Sequence, residues 1–361
     1  MERRKFLKAA AGGTVGAAAL ATPALAQSRM DMVIVSTWGR DFPGLGTSAQ
    51  RLAARIEELT EGRIAVQYFA AGERVGAFDS FDEVASGNAQ AYIGADYYWK
   101  GKHPGWAPFT AVPFGLTYTE MDAWMKFGGG QALLHKLGDE FGIAGFPCGN
   151  TGVQMGGWFN KEINSPEDLK GLKMRIPGLG GDVMAKCGAS PVSLPGGQIY
   201  ENLVSGAIDA TEWVGPWNDY FLKLYEAAKY YYWPGMHEPG SQLSMGINAA
   251  WLATVPENDK AIIIAACAEE NAAQAAETNY NNGIYLNKLV DEYGVELREF
   301  NDDVYEAFGE ASTEVIEEAR EHSPLSAEIY DSFLDARKNV GLWTNYSDAP
   351  YVTKRNRYLD L

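Results

Sequence analysis

Glu201-Asn-Leu-Val-Ser-Gly-Ala-Ile-Asp-Ala210 repeats the plan of Asp82-Glu-Val-Ala-Ser-Gly-Asn-Ala-Gln-Ala91. In both, apolar residues at helical spacing run to a Ser-Gly stop, and a short strand-like run follows at once. The echo is too short to establish duplication, but it decides the architecture. One helix–turn–strand unit in each half of the chain predicts an α/β fold of two lobes facing each other across a cleft. In open α/β sheets, ligands sit beyond the carboxyl ends of the strands. That places residues 95–99 on one wall and 212–217 on the other.

The flanking sequence carries the same alternation. Residues 31–37, 63–69 and 89–95 read as strands, and 47–59 and 78–85 as helices. A second series has strands at 172–176, 191–194 and 208–213, with helices at 180–187 and 198–204. Ser165-Pro166 opens a further helix, with Ser as cap and Pro at the first helical position. Strands alternating with helices imply βαβ units and largely parallel sheets. Gly128-Gly-Gly130 reads as a break between helices. From about residue 258 the pattern is helical, at 260–277, 303–321 and 328–339. These helices exceed what crossovers need and read as one spanning helix plus packing or dimer elements. The expected lobes are 27–149 with about 243–300, and 150–242 with part of the C-terminal helices. A C-terminal helical segment covers about 301–361.

Length and composition bound the function. The 361 residues suffice for two lobes. Residues 1–26 read as an export signal: a basic start with twin arginines (Arg3, Arg4), a small apolar run, and Ala24-Leu25-Ala26 as cleavage site. The apolar run is too short for a durable membrane span. The full chain carries a net charge of −17, and the signal holds four basic residues and one acidic, so the mature chain falls to about −20. An acidic exported chain is not a nucleic-acid binder, which needs basic faces. Net charge does not argue against a small anionic ligand, because local charge sets ligand choice. Cys148, Cys187 and Cys267 are too few and scattered for a disulfide framework and read as buried free thiols.

Several residues carry candidate chemistry. Asn150-Thr-Gly-Val-Gln-Met-Gly-Gly-Trp-Phe159, read as a strand, puts Gln154 on one face between Gly152 and Gly156. Glycine weakens a strand unless something approaches the backbone closely. In 172–176, Leu172, Met174 and Ile176 face the core while Lys173 and Arg175 face away. Arg175 ends that strand just before Pro-Gly, and guanidinium grips carboxylates bidentately. The alternative is a solvated surface arginine. Glu212 beside Trp213 suits a cation or a substrate hydroxyl, or an ion pair with an arginine across the cleft. Glu212, Gln154 and Glu238 together offer oxygen ligands for a hard cation. Tyr97, Tyr98 and Trp99, and likewise Tyr230–Trp233, read equally as core. Enzymatic motifs are thin: His103, His135, His237 and His322 show no zinc-ligand spacing, and neither a nucleophile elbow nor a P-loop is present.

Asn150–Phe159, Leu169-Lys-Gly-Leu-Lys-Met-Arg175 and Gly206-Ala-Ile-Asp-Ala-Thr-Glu-Trp213 resemble the solute-binding proteins of tripartite ATP-independent periplasmic (TRAP) transporters, over essentially the whole mature chain. Tyr97-Tyr-Trp99, Ala210–Pro216 and Tyr230–Gly235 are similar to the branch that binds α-keto acids and lactate. The resemblance implies a periplasmic receptor, not an enzyme, that takes a small 2-oxo or 2-hydroxy monocarboxylate such as pyruvate to membrane subunits. It implies that Arg175 clamps the carboxylate and that sodium or calcium is co-bound. The implied metal ligands are Gln154, Glu212, the Trp213 carbonyl and Glu238, with the glycines beside Gln154 clearing space for ion and substrate. Asn150 and Tyr97 or Tyr98 would touch the ligand. The chain departs from the branch at Gly94-Ala-Asp96 and His237-Glu-Pro-Gly240, both beside the expected pocket. Two alternatives stand beside this. A binder of dicarboxylates or sugar acids needs a second positive group, for which only Lys100 offers itself. An exported enzyme would use Glu212 as base.

Overall fold

The computed structural model describes residues 29–359, so the expected export signal lies outside the described residues. The strands in chain order are β1 (Met30–Ser36), β2 (Ile64–Phe69), β3 (Ala91–Gly94), β4 (Ile143–Asn150), β5 (Gly157–Phe159), β6 (Lys173–Arg175), β7 (Ser190–Val192), β8 (Ala210–Thr211), β9 (Tyr230–Trp233), β10 (Gln242–Asn248) and β11 (Glu296–Glu299). They form two sheets, ordered β2-β1-β3-β10-β4 and β11-β9-β5-β8-β6-β7. Each sheet is the centre of one lobe. The first buries β1 on both faces, with Met32, Ile34 and Val35 at most 1% exposed, as a strand covered by helices must.

The sheets are mixed rather than largely parallel. β1, β2 and β3 run parallel, as do β6, β7 and β8, but β10 runs antiparallel to β3 and β4, and β5 antiparallel to β8 and β9. The reason lies in the connections. The chain leaves the first lobe from β4, enters the second as β5, leaves it from β9 and returns as β10. A strand arriving from the other lobe enters opposite to its βαβ neighbours. β11 pairs with β9, so the end of the stretch expected in the first lobe belongs to the second sheet. The segment at Ser165 is a 3₁₀ turn, Pro166–Leu169, rather than a helix.

The two crossovers, residues 151–156 and 234–241, lie side by side. Thr151 N–H donates to Ser241 O (3.0 Å), Gln154 N–H to Glu238 O (3.1 Å), and Gly235 N–H back to Gln154 O (3.2 Å). The stretch 150–159 is therefore not one strand. It is the end of β4, a crossing, and the start of β5. Gly152 (φ 68°) and Gly157 (φ 120°) adopt backbone geometry that favours glycine.

The helix Glu257–Asp291 spans both lobes. Its 35 residues reach about 50 Å, packing along β4 and the helix Leu45–Leu59 on one side and the helix Pro216–Phe221 on the other. The helix Asp302–Arg320 then packs on the second lobe, against Gly178–Lys186, while Pro324–Thr344 packs on the first, against Tyr118–Phe127. The last helix, Asp348–Leu359, buries none of its residues. Cys148, Cys187 and Cys267 are free thiols; Cys148 and Cys267 are buried as expected, but Cys187 is only half-buried. No helix among the described residues is long and apolar enough to cross a membrane.

Candidate functional site

Five separate segments bring the site together where the lobes meet. The end of β6 supplies Arg175, and the chain just past the neighbouring β8 supplies Glu212 and Trp213. The crossovers supply Gln154 and Glu238. The turn Asp96–Trp99 after β3 supplies Tyr97 and Tyr98. That turn is anchored from below. Gly246 faces Tyr92 across β10 and β3, and a Cβ there would lie 2.2 Å from the Tyr92 ring. The bare position lets Tyr92 fill the space and donate its hydroxyl to Asp96 (2.9 Å), which Ser244 Oγ also serves (2.6 Å). Burial pushes the Asp96 carboxyl up to about 7.

Arg175 is 1% exposed, so the solvated-surface alternative is excluded. Its Nη1 donates to the Glu212 carboxylate and to Glu212 O (3.1 Å), and its Nε to Leu194 O (3.1 Å). The guanidinium lies 5.1 Å from the Trp213 ring centroid. Burial is the largest single influence and opposes its charge, but Glu212, Tyr98, Tyr97 and Glu238 together favour it, and the net shift is upward. The pair sits within one lobe, because β6 and β8 are neighbours; it does not cross the cleft. The other Glu212 oxygen faces His237 Nε2 at 3.3 Å. Burial pulls the His237 imidazole down, while the Glu212 hydrogen bond and charge raise it, and the net shift is upward.

Gln154 and Glu238 meet from the two crossovers. Gln154 Nε2 donates to Glu238 Oε2 (2.7 Å) and Thr151 Oγ1 (3.0 Å), and Ser241 Oγ donates to the same Glu238 oxygen. Burial, then the charge of Glu212, push Glu238 up to about 7. Glu212, His237 and Glu238 present ligand atoms within 4.8 Å of one another.

Three amide or charged side-chain atoms of this cluster are buried without a hydrogen-bond partner, Gln154 Oε1, Glu238 Oε1 and Arg175 Nη2, as is the Trp213 indole Nε1. Each such atom costs about 1–3 kcal/mol unless something satisfies it. Two are hard oxygen acceptors and one is a cationic donor, so the residues fit a cation and an anion held together. Gln154 and Glu238 line a cavity of about 20 Å³ with Trp38, Tyr97, Tyr98 and Trp213.

The structure thus gathers Gln154, Arg175, Glu212, Trp213, Glu238, Tyr97 and Tyr98. Asn150 is placed otherwise. Its Oδ1 accepts from Gly152 N–H (2.8 Å) and its Nδ2 donates to Gly240 O (3.2 Å), tying the crossovers together; like Arg175 and Glu212, it is not among the residues that line the cavity. Lys100 pairs with Asp182 outside the cavity. The glycines beside Gln154 do not clear space for a ligand. A Cβ at Gly152 would meet Asn279 at 3.0 Å, and one at Gly156 would meet Phe300 at 2.4 Å. Sequence reasoning missed His237, Thr151 and Ser241. The departure at His237-Glu-Pro-Gly240 was the available signal for the first. Asp219 was also missed. It accepts from Val214 N–H and Gly215 N–H (both 3.1 Å), Trp158 Nε1 (2.9 Å) and the Tyr231 hydroxyl (2.7 Å), fixing the turn that carries Trp213.

Comparison with known proteins gives the family. Residues 34–322 match the model of the DctP family, bacterial extracellular solute-binding protein family 7. A monocarboxylate 2-oxoacid-binding periplasmic protein of Nostoc sp. is 36% identical over 97% of this chain and 98% of its own. A TRAP periplasmic solute-binding protein from Colwellia psychrerythraea, solved with calcium and pyruvate, is 40% identical. It covers 90% of this chain and 99% of that one, with a TM-score of 0.88. Another from Pseudoalteromonas atlantica, solved with sodium and pyruvate, is 38% identical, covers the same shares, and has a TM-score of 0.87. Fold, cleft and sequence together place this chain in family 7 of the bacterial extracellular solute-binding proteins, the DctP family of TRAP receptors.

Proposed function

We propose that this protein is the periplasmic receptor of a TRAP transporter, that it captures a small 2-oxo or 2-hydroxy monocarboxylate such as pyruvate together with a cation, and that it delivers the ligand to the membrane subunits. The observation that carries this is the trio of unpartnered buried atoms, Gln154 Oε1, Glu238 Oε1 and Arg175 Nη2. Gln154, Glu238, Glu212 and the Trp213 carbonyl would hold sodium or calcium. When bound, the ion supplies positive charge for the carboxylate and 2-oxo oxygens. Arg175 keeps Nη1 on Glu212 and offers Nη2 to the ligand carboxylate, with Tyr97 and Tyr98 closing the cavity and Asn150 acting through the crossovers. Both Glu212 oxygens are engaged, by Arg175 and by His237, which supports a binding role over that of a catalytic base. Export through a twin-arginine signal belongs to the same reading.

Calorimetry with pyruvate tests it. Affinity is expected to fall at least tenfold in sodium-free, chelator-treated buffer and to return with calcium or sodium. Unchanged affinity after verified depletion removes the cation from the proposal. Absence of binding to both pyruvate and lactate with ions present overturns the function.

A second copy of the chain is the proposed cover for the C-terminus. The 12-residue helix Asp348–Leu359 is too short to persist alone in water. It carries exposed Tyr351 and Tyr358, continues from exposed Trp343 and Tyr346, and places Lys354, Arg355 and Arg357 on a strongly acidic protein. Sedimentation should show a dimer that becomes monomeric when residues 345–361 are removed; a monomeric full-length chain refutes this.

A further inference from the structure

The charged cluster is shut off from water. Gln154, Arg175, Glu212 and Glu238 are at most 3% exposed, and the cavity at the cluster holds about 20 Å³, roughly one water. A ligand held there leaves only when the lobes part, so contacts between the lobes govern its escape. Two polar contacts of this kind lie outside the cavity lining.

The first continues a seam that Tyr97 begins. Tyr97, in the first lobe, lies against the start of the helix Gly178–Lys186 in the second, where a Cβ on Gly178 would come within 3.1 Å of its ring. Further along both segments, Lys100 Nζ meets the Asp182 carboxylate, and both side chains are partly exposed. The second contact joins the helix Pro216–Phe221 of the second lobe to the start of the helix Leu45–Leu59 of the first. Asn218 is buried and donates from Nδ2 to Pro43 O (2.5 Å). Gly44 has φ 77°, and a Cβ there would lie 2.8 Å from the Trp217 ring and 3.0 Å from Asn218 Nδ2. The bare glycine is what lets the two helices meet. On the far side, Trp217 N–H donates to Asn282 Oδ1 (3.1 Å) of the spanning helix. Asp219 ties Val214 and Gly215 to this helix, so Asn218 and Trp213 belong to one tied turn.

We infer that Lys100–Asp182 and Asn218–Pro43 are two clasps that hold the lobes shut and set how long the ligand stays. This rests on the binding function proposed above. Each clasp joins atoms of different lobes, so a hinge opening separates them, and their free energy belongs to the closed state alone. Neither lies in the cavity lining, so they act through closure and not through contact with the ligand. Losing a clasp therefore speeds release and leaves the encounter with the open receptor unchanged.

Stopped-flow tryptophan fluorescence on the mature protein, with calcium and pyruvate, tests the inference. The observed rate against pyruvate concentration gives kon as slope and koff as intercept. An exposed ion pair is worth about two- to fivefold and is screened by salt. Lys100→Met is expected to raise koff by about that factor at low salt, with kon unchanged, and to abolish the rise of koff that added salt causes in wild type. Asp182→Asn should do the same, and the double variant should release no faster than either single one. Asn218→Ala should raise koff about tenfold at every salt concentration, because a buried neutral hydrogen bond is lost. Circular dichroism establishes that each variant is folded; Lys100→Met and Asp182→Asn alter partly exposed side chains and keep the test open if Asn218→Ala does not fold. Unchanged koff in the folded variants, or changes carried by kon alone, overturns the clasps and leaves the receptor function standing. Additive effects of Lys100→Met and Asp182→Asn overturn the ion-pair clasp. If wild type binds no pyruvate, the underlying function fails and the clasps with it.

Discussion

Arg175→Ala should cost about 3 kcal/mol or more of binding free energy for a small carboxylate, roughly a hundredfold in Kd. The guanidinium is buried beside Glu212, and its Nη2 is the donor left without a partner. Truncation removes that donor and strands the Glu212 charge in a low-dielectric setting, so some loss of stability accompanies the loss of affinity. Arg175→Lys separates the two effects. It keeps the charge, but one ammonium cannot serve Glu212, Leu194 O and a ligand in the geometry a planar fork provides. Calorimetry of folded Arg175→Lys should still show a large loss. Near-wild-type affinity in either variant would remove Arg175 from the ligand site.

Asp219→Ala should be the most destabilising single change near the site, by about 3 kcal/mol or more. Two backbone N–H groups, an indole and a phenol all donate to this carboxylate, and each buried donor left unpaired costs about 1–3 kcal/mol. The pH dependence follows from the same burial. Burial pushes Asp219 up to about 6, against the pull of its four donors. A folded-state pKa above the unfolded value means that the native state binds the proton more tightly. The stability gained this way is fully present below the unfolded value near 4 and is lost as pH rises through about 6. Asp219→Asn should flatten this component between pH 4 and 7, while costing stability because an amide cannot accept from all four donors. Urea unfolding at pH 4, 5, 6 and 7 reads both effects; an Asn variant with the wild-type slope would show that Asp219 does not titrate as stated.

How much of the site the sequence showed can be judged strand by strand. Period two placed Lys173 and Arg175 on the same face of β6, and there they are. Alternation could not say that Lys173 is exposed while Arg175 is 1% exposed. One strand face can be open at one end and roofed at the other, and the roof comes from β8 and the crossovers, far along the chain. In 150–159, alternation carried the prediction of a single strand across a crossing between sheets. The pattern of large and small side chains there records Asn279 and Phe300 packing on glycines, which local spacing cannot distinguish from space kept for a ligand. β4 and β10 were not predicted as strands, although they hold the crossovers. Their lengths are ordinary, but their pairing is long-range.

The sequence alone determined what depends on neighbours a few residues apart: alternating helices and strands, two lobes, an acidic chain, and the short motifs that resemble TRAP receptors. It also supplied Gln154, Glu212 and Glu238 as oxygen ligands by type. Only the tertiary structure decided that Gln154 and Glu238, 84 residues apart, share a hydrogen bond. It also decided that Glu212 is held between Arg175 and His237, and that Asn150 ties the crossovers together. Desolvation is the physical reason. The charge state and free valence of a buried group depend on every atom around it, and those atoms come from segments whose proximity no local pattern encodes.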